Sequence, residues 1–403
     1  MDSIKKDFPF FKHHPDVSYL DNAATALKPQ CVIDAVVDYY ERLSSNIHRG
    51  DYDTSLETSE AYEAVRSKTA AFIQATKESI IFTSGASESL NLVASGYAKY
   101  YLKKGDVVLL NQAEHASNIL PWYALAQEIG FKVEFVSLNE EGYITLEMLE
   151  QAFHKDVKLV SMAHVSNVLG YVNDIKTFAR FAHDHGALFC LDAAQSIGHM
   201  RIDVNDLDVD FMAFSAHKML GPTGVGVLYA KPEILNKMNP IAHGGGSNIR
   251  FDACGMVELK SGPAKFEAGT PNIEGVLGFG AALDYLNDFG MDRIHSLIKP
   301  LHQRALEAMQ NMDHIVVYNQ QADMGLITFS VKNIFAQDVA AYLNREGISV
   351  RSGEHCAKLI NGALNMEKSV RISFYFYNTD ADVTKLINAL ETITLEKCID
   401  LYL

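Results

Sequence analysis

The chain has 403 residues, 48% of them apolar, with 50 acidic against 35 basic side chains and a formal charge of −15. That acidic balance argues against a non-specific nucleic-acid binder and a polybasic membrane-surface protein, which both need a basic face, and no run of about 18 apolar residues offers a spanning helix. Five widely spaced cysteines without a CxxC pair argue against a disulfide scaffold or zinc ribbon, and the N-terminus lacks an apolar core of signal-peptide length, so a cytoplasmic enzyme is expected.

Helical and strand patterns alternate from about residue 60 to 230. Ala61, Val65, Ala71 and Phe72 fall near one face and predict a helix over 58–75. Strands are predicted at 79–83, 107–110, 132–136, 158–163, 187–191, 211–214 and 225–229, and helices at 88–102, 117–129, 145–153 and 175–185. This alternation implies an α/β fold with a mostly parallel sheet between helices. Beyond about residue 285 the texture changes. Helices at 291–311, 337–346 and 380–395, with strands at 315–318, 325–331, 350 and 370–374, predict a smaller α+β C-terminal domain with antiparallel pairing. The expected division is a large domain over 17–286 and a small one over 287–403, with residues 1–16 packed against the small one.

Ligands of such sheets sit at the carboxyl ends of strands. The segment FMAFSAHKMLGPTGVG puts Lys218 just past a buried strand and before a tight turn. Alone, Lys218 reads as a solvated loop lysine. One element earlier, however, a strand ends in Asp192. A loop lysine and a strand-end Asp fit a pyridoxal 5'-phosphate site: the lysine forms an imine with the cofactor aldehyde, and the carboxylate keeps the pyridine nitrogen protonated. Ser84-Gly85-Ala86-Ser87, between a strand and a helix, offers a phosphate cradle or simple helix capping. Ser215 and His217 are further phosphate or ring contacts. His115 follows the strand ending at Leu110, as a ring contact and proton relay or as a surface histidine.

These segments, with Tyr19–Thr25, Asn46–Gly50, Gln112–His115, His164–Gly170, Asp192–Gln195, Phe266–Asn272, Val350–Ala357 and Arg371–Ser373, make the chain resemble a cysteine desulfurase of the class V aminotransferase family, of the SUF type, over almost its whole length. The resemblance implies the fold type I of PLP-dependent transferases. It implies Lys218 as the Schiff-base lysine that shuttles the substrate's Cα proton, and Asp192 on the pyridine nitrogen. Gln195 would bond the ring hydroxyl, and His115 would stack on the ring. Ser87, Ser215 and His217 would hold the phosphate, joined by Thr270 of a second subunit, which makes a homodimer part of the site. Asn22, Ala23, Asn167, Arg351 and Arg371 would contact the substrate, with Asn167 steadying the adduct and Arg371 clamping the carboxylate. Cys356 would be the nucleophile, on an exposed, mobile segment, while the other four cysteines read as structural thiols. The implied products are L-alanine and a Cys356 persulfide, with the sulfur passed to an acceptor protein for iron–sulfur cluster assembly. No metal ligand set is expected.

Departures from the family pattern are Tyr52 and Glu354 in place of histidines, Leu359 in place of a proline, Ser87 in place of a threonine, and Gln337 where relatives that hand sulfur to a zinc-bearing partner carry a histidine. The alternatives are a selenocysteine lyase on the same scaffold, or a non-catalytic scaffold that binds a sulfur carrier.

Overall fold

The computed structural model describes residues 2–322, 324–366 and 368–400. After the short strand β1 (Ser18–Tyr19), the chain builds a seven-stranded sheet from β2 (Ile80–Thr83), β3 (Val107–Asn111), β4 (Lys132–Val136), β5 (Val157–Ala163), β6 (Leu188–Asp192), β7 (Phe211–Ser215) and β8 (Gly226–Ala230). Their order is β2-β8-β7-β6-β5-β3-β4. The pairs from β7 to β4 are parallel, and β8 is antiparallel to both its neighbours. β2 therefore points the same way as β7, and β2, β3, β4, β5, β6 and β7 all end at one edge. Ile80, Phe82, Leu109, Leu191 and Phe214 belong to one buried cluster and Ile81, Val108, Leu110, Cys190 and Ala213 to another. Alternate residues of each strand thus serve the two faces, and the continuous apolar runs of the sequence follow from burial on both sides.

A hairpin of β9 (Asn248–Phe251) and β10 (Val257–Leu259) comes next. The last part of the chain contributes β11 (Ile315–Val317), β12 (Leu326–Val331), β13 (Ile348–Ser349), β14 (Arg351–Gly353) and β15 (Ser369–Ser373). Four of these form the antiparallel sheet β11-β12-β15-β14, while β13 runs parallel to β1. The single strand expected near Val350 is two short strands serving two sheets. The N-terminal residues lie against the helix Asp380–Thr392, where Lys5 Nζ and Ser18 Oγ both reach Asp382 Oδ1, at 3.1 and 2.8 Å. No helix among the described residues is long and apolar enough to cross a membrane.

Two long elements escape the sequence pattern. The helix expected over 58–75 begins earlier and spans Asp53–Phe72, and an unexpected helix spans Ile273–Phe289. Its glycines lower helix propensity but admit neighbours: a Cβ at Gly278 would lie 2.8 Å from Val36 Cγ2, and one at Gly280 2.5 Å from Val65 Cγ2. The helices Gln30–Asp38 and Asp53–Phe72 pack against it through these gaps.

At the opposite edge of the large sheet, buried Asp210 accepts from Phe189 N–H (2.7 Å) and from His183 Nε2 (2.8 Å), with Lys231 Nζ 3.0 Å from its other oxygen. The hydrogen bond to Asp210 raises the His183 pKa above 6.5 against the effect of burial, and the Asp208 carboxylate adds to it. A group protonated more tightly in the folded chain stabilises it at low pH, and that contribution fades as the pH rises through the folded pKa. The urea midpoint of the wild type should therefore fall from pH 6.5 upward, and His183→Gln should flatten that slope.

Candidate active site

The common carboxyl edge carries a cavity of about 230 Å³ lined by Ala23, Ala24, Ala86, Ser87, His115, Ser117, Ala163, Val165, Asn167, Asp192, Ala194, Gln195, Ser215, His217, Lys218, Arg351, His355, Cys356 and Arg371. Each strand end supplies its part. The turn Ala216–Lys218 follows β7 directly and turns Lys218 into the cavity. Burial pushes its amine down to about 8; Asp192 opposes the shift, and Arg371 and Arg351 add to it. Asp192 ends β6, accepts from Ala194 N–H (2.9 Å), and has its carboxyl pKa raised by burial against the pull of Lys218. Gln195 Nε2 donates to Ala23 O (2.9 Å).

The phosphate end is built where β2 and β8 meet. A Cβ at Gly226 would lie 2.3 Å from Gly85 Cα, so the two backbones touch as only glycine allows. Ser215 Oγ accepts from Ala86 N–H (2.8 Å), and Ser87 Oγ lies 2.6 Å from Ser117 Oγ. Burial pushes His217 down to about 4, with Lys218 and Lys28 adding to it. His115 is pushed down to about 4 by burial and then by Lys218, Arg351 and Arg371. Its Nδ1 accepts from Ser117 N–H (3.1 Å), so the neutral ring carries its proton on Nε2.

Arg371, on β15, is 1% exposed. Its Nη1 donates to Asn167 O (2.7 Å) and its Nη2 to Asp21 Oδ1 (3.1 Å), while Nε has no hydrogen-bond partner among the described residues. A guanidinium that lines the cavity and keeps one donor unpartnered suits an incoming carboxylate. Cys356 is exposed, with Arg351 Nη2 at 3.6 Å from its Sγ.

Residues 18–386 match the model of the family described as aminotransferase class-V. The chain belongs to that family. It is 43% identical over 394 residues to a probable cysteine desulfurase of Halalkalibacterium halodurans, with 96% of each chain covered. It is 37% identical over 412 residues to a cysteine desulfurase of Haloferax volcanii, covering 97% of this chain and 96% of that one. Among solved structures, the apo cysteine desulfurase of Thermococcus onnurineus superposes with a TM-score of 0.92 at 38% identity, with 97% of each chain covered. One from Escherichia coli in its S-sulfonic acid form gives 0.91 at 34% identity, over 99% of this chain and 98% of that one. The fold expected from the sequence is the one these class V proteins share.

Pyridoxal phosphate suits the residues present. A buried carboxylate in the cavity wants a protonated nitrogen, the glycine-lined turn with its hydroxyls suits a phosphate, and a lysine with a depressed amine lines the same cavity. Most of the expected site residues meet in this cavity, but two do not line it. Asn22 has its amide committed to Ser373 O (2.6 Å), Asn378 Oδ1 (3.2 Å) and the Tyr377 hydroxyl, behind the wall. Thr270 bonds Asn46 (3.1 Å) and lies beside a second cavity, lined among others by Gly269 and Pro271. Ser117 and Val165 line the site without having been anticipated: a serine two residues past a candidate histidine was a usable signal, an isolated valine was not.

The reading of the remaining cysteines needs correction. Cys190 and Cys398 are buried, but Cys31 and Cys254 are exposed, because one sits at the solvent side of a helix start and the other in the hairpin turn. Among the departures, Glu354 pairs with Lys358 (3.4 Å), while Tyr52 and Gln337 face solvent.

In protein stripped of cofactor, the Lys218 amine should titrate near 8, read by the pH dependence of its reductive methylation. Asp192→Asn should lower that value further, since it removes the charge that holds the proton on. An unchanged or higher value in that variant would contradict Asp192 as the opposing charge.

Proposed function

We propose that this chain is a pyridoxal-phosphate-dependent cysteine desulfurase that converts L-cysteine to L-alanine and leaves a persulfide on Cys356. The observation that carries the reading is a second nucleophile: Cys356 lines the same cavity as Lys218 and Arg371. Pyridoxal phosphate, when bound, supplies an electron sink for carbanion character at the substrate's Cα. Asp192 would hold the ring nitrogen, Gln195 the ring hydroxyl, and Ser87, Ser215 and His217 the phosphate. Arg371 would take the substrate carboxylate, with Ala23, Asn167 and Arg351 beside it in the same cavity. The depressed amine of Lys218 suits it to accept the Cα proton and return it to carbon, and the neutral His115 ring presents an N–H toward the reacting atoms. The Cys356 thiolate attacks the substrate sulfur. A sulfur–sulfur bond forms, the carbon–sulfur bond breaks, its electron pair stays with the carbon skeleton, and that carbon is reprotonated to give alanine.

The same reading includes a homodimer in the cytoplasm, in which Thr270 serves the partner's site; its place outside this chain's own cavity supports that. It includes an acceptor protein that takes the sulfur on toward iron–sulfur clusters, which the exposure of Cys356 supports. It also takes 17–286 and 287–403 as two domains, with residues 1–16 against the second. The containment of the two main sheets within 80–230 and 315–373 supports that division, although β1, with the Asp21–Ser373 bridge, ties residues 18–21 to the C-terminal strands.

Single-turnover release of alanine from L-cysteine, with mass spectrometry of Cys356, tests the proposal. Cys356→Ser should abolish the persulfide at this position and lower alanine formation by about a thousandfold, the scale of losing a nucleophile, and Lys218→Ala should abolish the visible absorbance of the bound cofactor. Normal turnover by Cys356→Ser would refute the role of the thiol. Full activity of that variant on selenocysteine alone would assign the chain to the lyase class.

A further inference from the structure

Next to His115 lies a carboxylate that the reaction does not use. Glu114 is 0% exposed. Its Oε1 accepts from Asn111 Nδ2 (2.6 Å) and Ala163 N–H (2.9 Å), and its Oε2 from Asn118 Nδ2 (2.7 Å). Both amides are held in this orientation by their own oxygens: Asn111 Oδ1 accepts from Ala113 N–H (2.6 Å) and Asn118 Oδ1 from Ser161 Oγ (2.6 Å). All three groups on the carboxyl therefore donate, and the ionised form satisfies them best. Burial opposes this and pushes the pKa up to about 8, with the Asp192 charge adding to it. Three donors from separate elements converge on this one buried carboxyl, so it ties them to one another.

Those donors belong to separate pieces of the site. Asn111 ends β3, Ala163 ends β5 beside Asp192, and Asn118 closes the turn that carries His115, Ala116 and Ser117. Two of the turn's own N–H groups face the chemistry: Ser117 N–H holds His115 Nδ1, and Ala116 N–H donates to Cys356 O (2.7 Å). The Cys356 loop needs such support. His355 and Cys356 both have left-handed backbones, at φ 50° and 60°, which side-chain-bearing residues rarely adopt. Among the described residues, the one other tie on these carbonyls is Asn167 Nδ2 to His355 O (2.8 Å).

We propose that Glu114 is a positioning residue that bolts the turn 112–118 to the end of β5, and through Ala116 holds the Cys356 loop over the cavity while it orients the His115 ring. Its bearing on sulfur transfer rests on the desulfurase reading; its bearing on the loop does not. Glu114→Gln keeps the size but turns an amide N–H toward one of three fixed donors, so one of them must swing away.

The test is hydrogen–deuterium exchange on the cofactor-free protein. In Glu114→Gln, exchange should rise about five- to tenfold in the segments 112–118 and 354–360, the factor expected from the loss of one hydrogen bond, while the helix Asp380–Thr392 stays within about twofold. Ala116→Pro is the second variant. It deletes only the donor to Cys356 O, at the first position of a short helical turn, after a residue already extended at ψ 147°. It should raise exchange in 354–360 by the same factor and leave the Glu114 contacts in place. With cofactor and L-cysteine, both variants should form the Cys356 persulfide about tenfold more slowly, with KM within about twofold, because Arg371 and Asn167 are untouched. Exchange at wild-type rates in 354–360 in either variant overturns the proposal, as does a drop in persulfide rate carried wholly by KM. A wild-type enzyme that fails to turn over cysteine would refute the desulfurase reading and leave the exchange result to decide the proposal by itself.

Discussion

The burial of one lysine amine among like charges is the constraint around which this molecule is arranged. Lys218 shares its cavity with Arg351 and Arg371 and has Asp192 as its opposing charge. Three cations lining one cleft repel one another, and the amine, the only one of the three that can release its proton near neutral pH, relieves the strain. A loop lysine left in solvent would stay charged and inert. The parallel sheet makes this burial possible, because six strands deliver their ends to one edge and apolar layers pack on both of its faces.

That arrangement also explains which parts of the fold are legible in the sequence. The inner strands of the large sheet are buried on both faces, so they announce themselves as short apolar runs, and β6 falls within a residue of where the pattern puts it; β4, the half-exposed edge strand, falls where its alternation puts it. The helix Ile273–Phe289 is hidden for the opposite reason. Gly275, Gly278 and Gly280 speak against a helix locally, yet Gly278 and Gly280 are the places where Val36 and Val65 come close. Tertiary packing overrides propensity there, and a single chain read without its neighbours has no means of seeing it.

The site divides along a similar line. Lys218, Asp192 and His115 are legible because each is a chemically marked residue at or shortly after a strand end, whereas Arg371 lies in the middle of β15 and is marked by the family resemblance. Asn22 carries a marked side chain within a marked segment, and yet its amide is used up in joining the chain to Ser373 and Asn378. Glu114 is the converse case. In the sequence it is one acidic residue among 50, and only folding shows that three donors from three elements converge on it. Composition and spacing reveal which groups can do chemistry; they do not reveal which groups hold the others still.

Cys356 shows how such holding changes the reading of a loop. Its polar, glycine-containing surroundings suggest mobility, but the backbone is pinned at two successive carbonyls, by Asn167 and Ala116. Two left-handed residues in a row cost about 1–2 kcal/mol each, and two hydrogen bonds return about 0.5–1.5 kcal/mol each. The cost of the two left-handed residues and the return from the two hydrogen bonds are of the same size. On the proposed reading, in which the Cys356 sulfur is loaded inside the cavity and passed on outside it, too few ties would scatter the thiol, and too many would keep the sulfur where it was made.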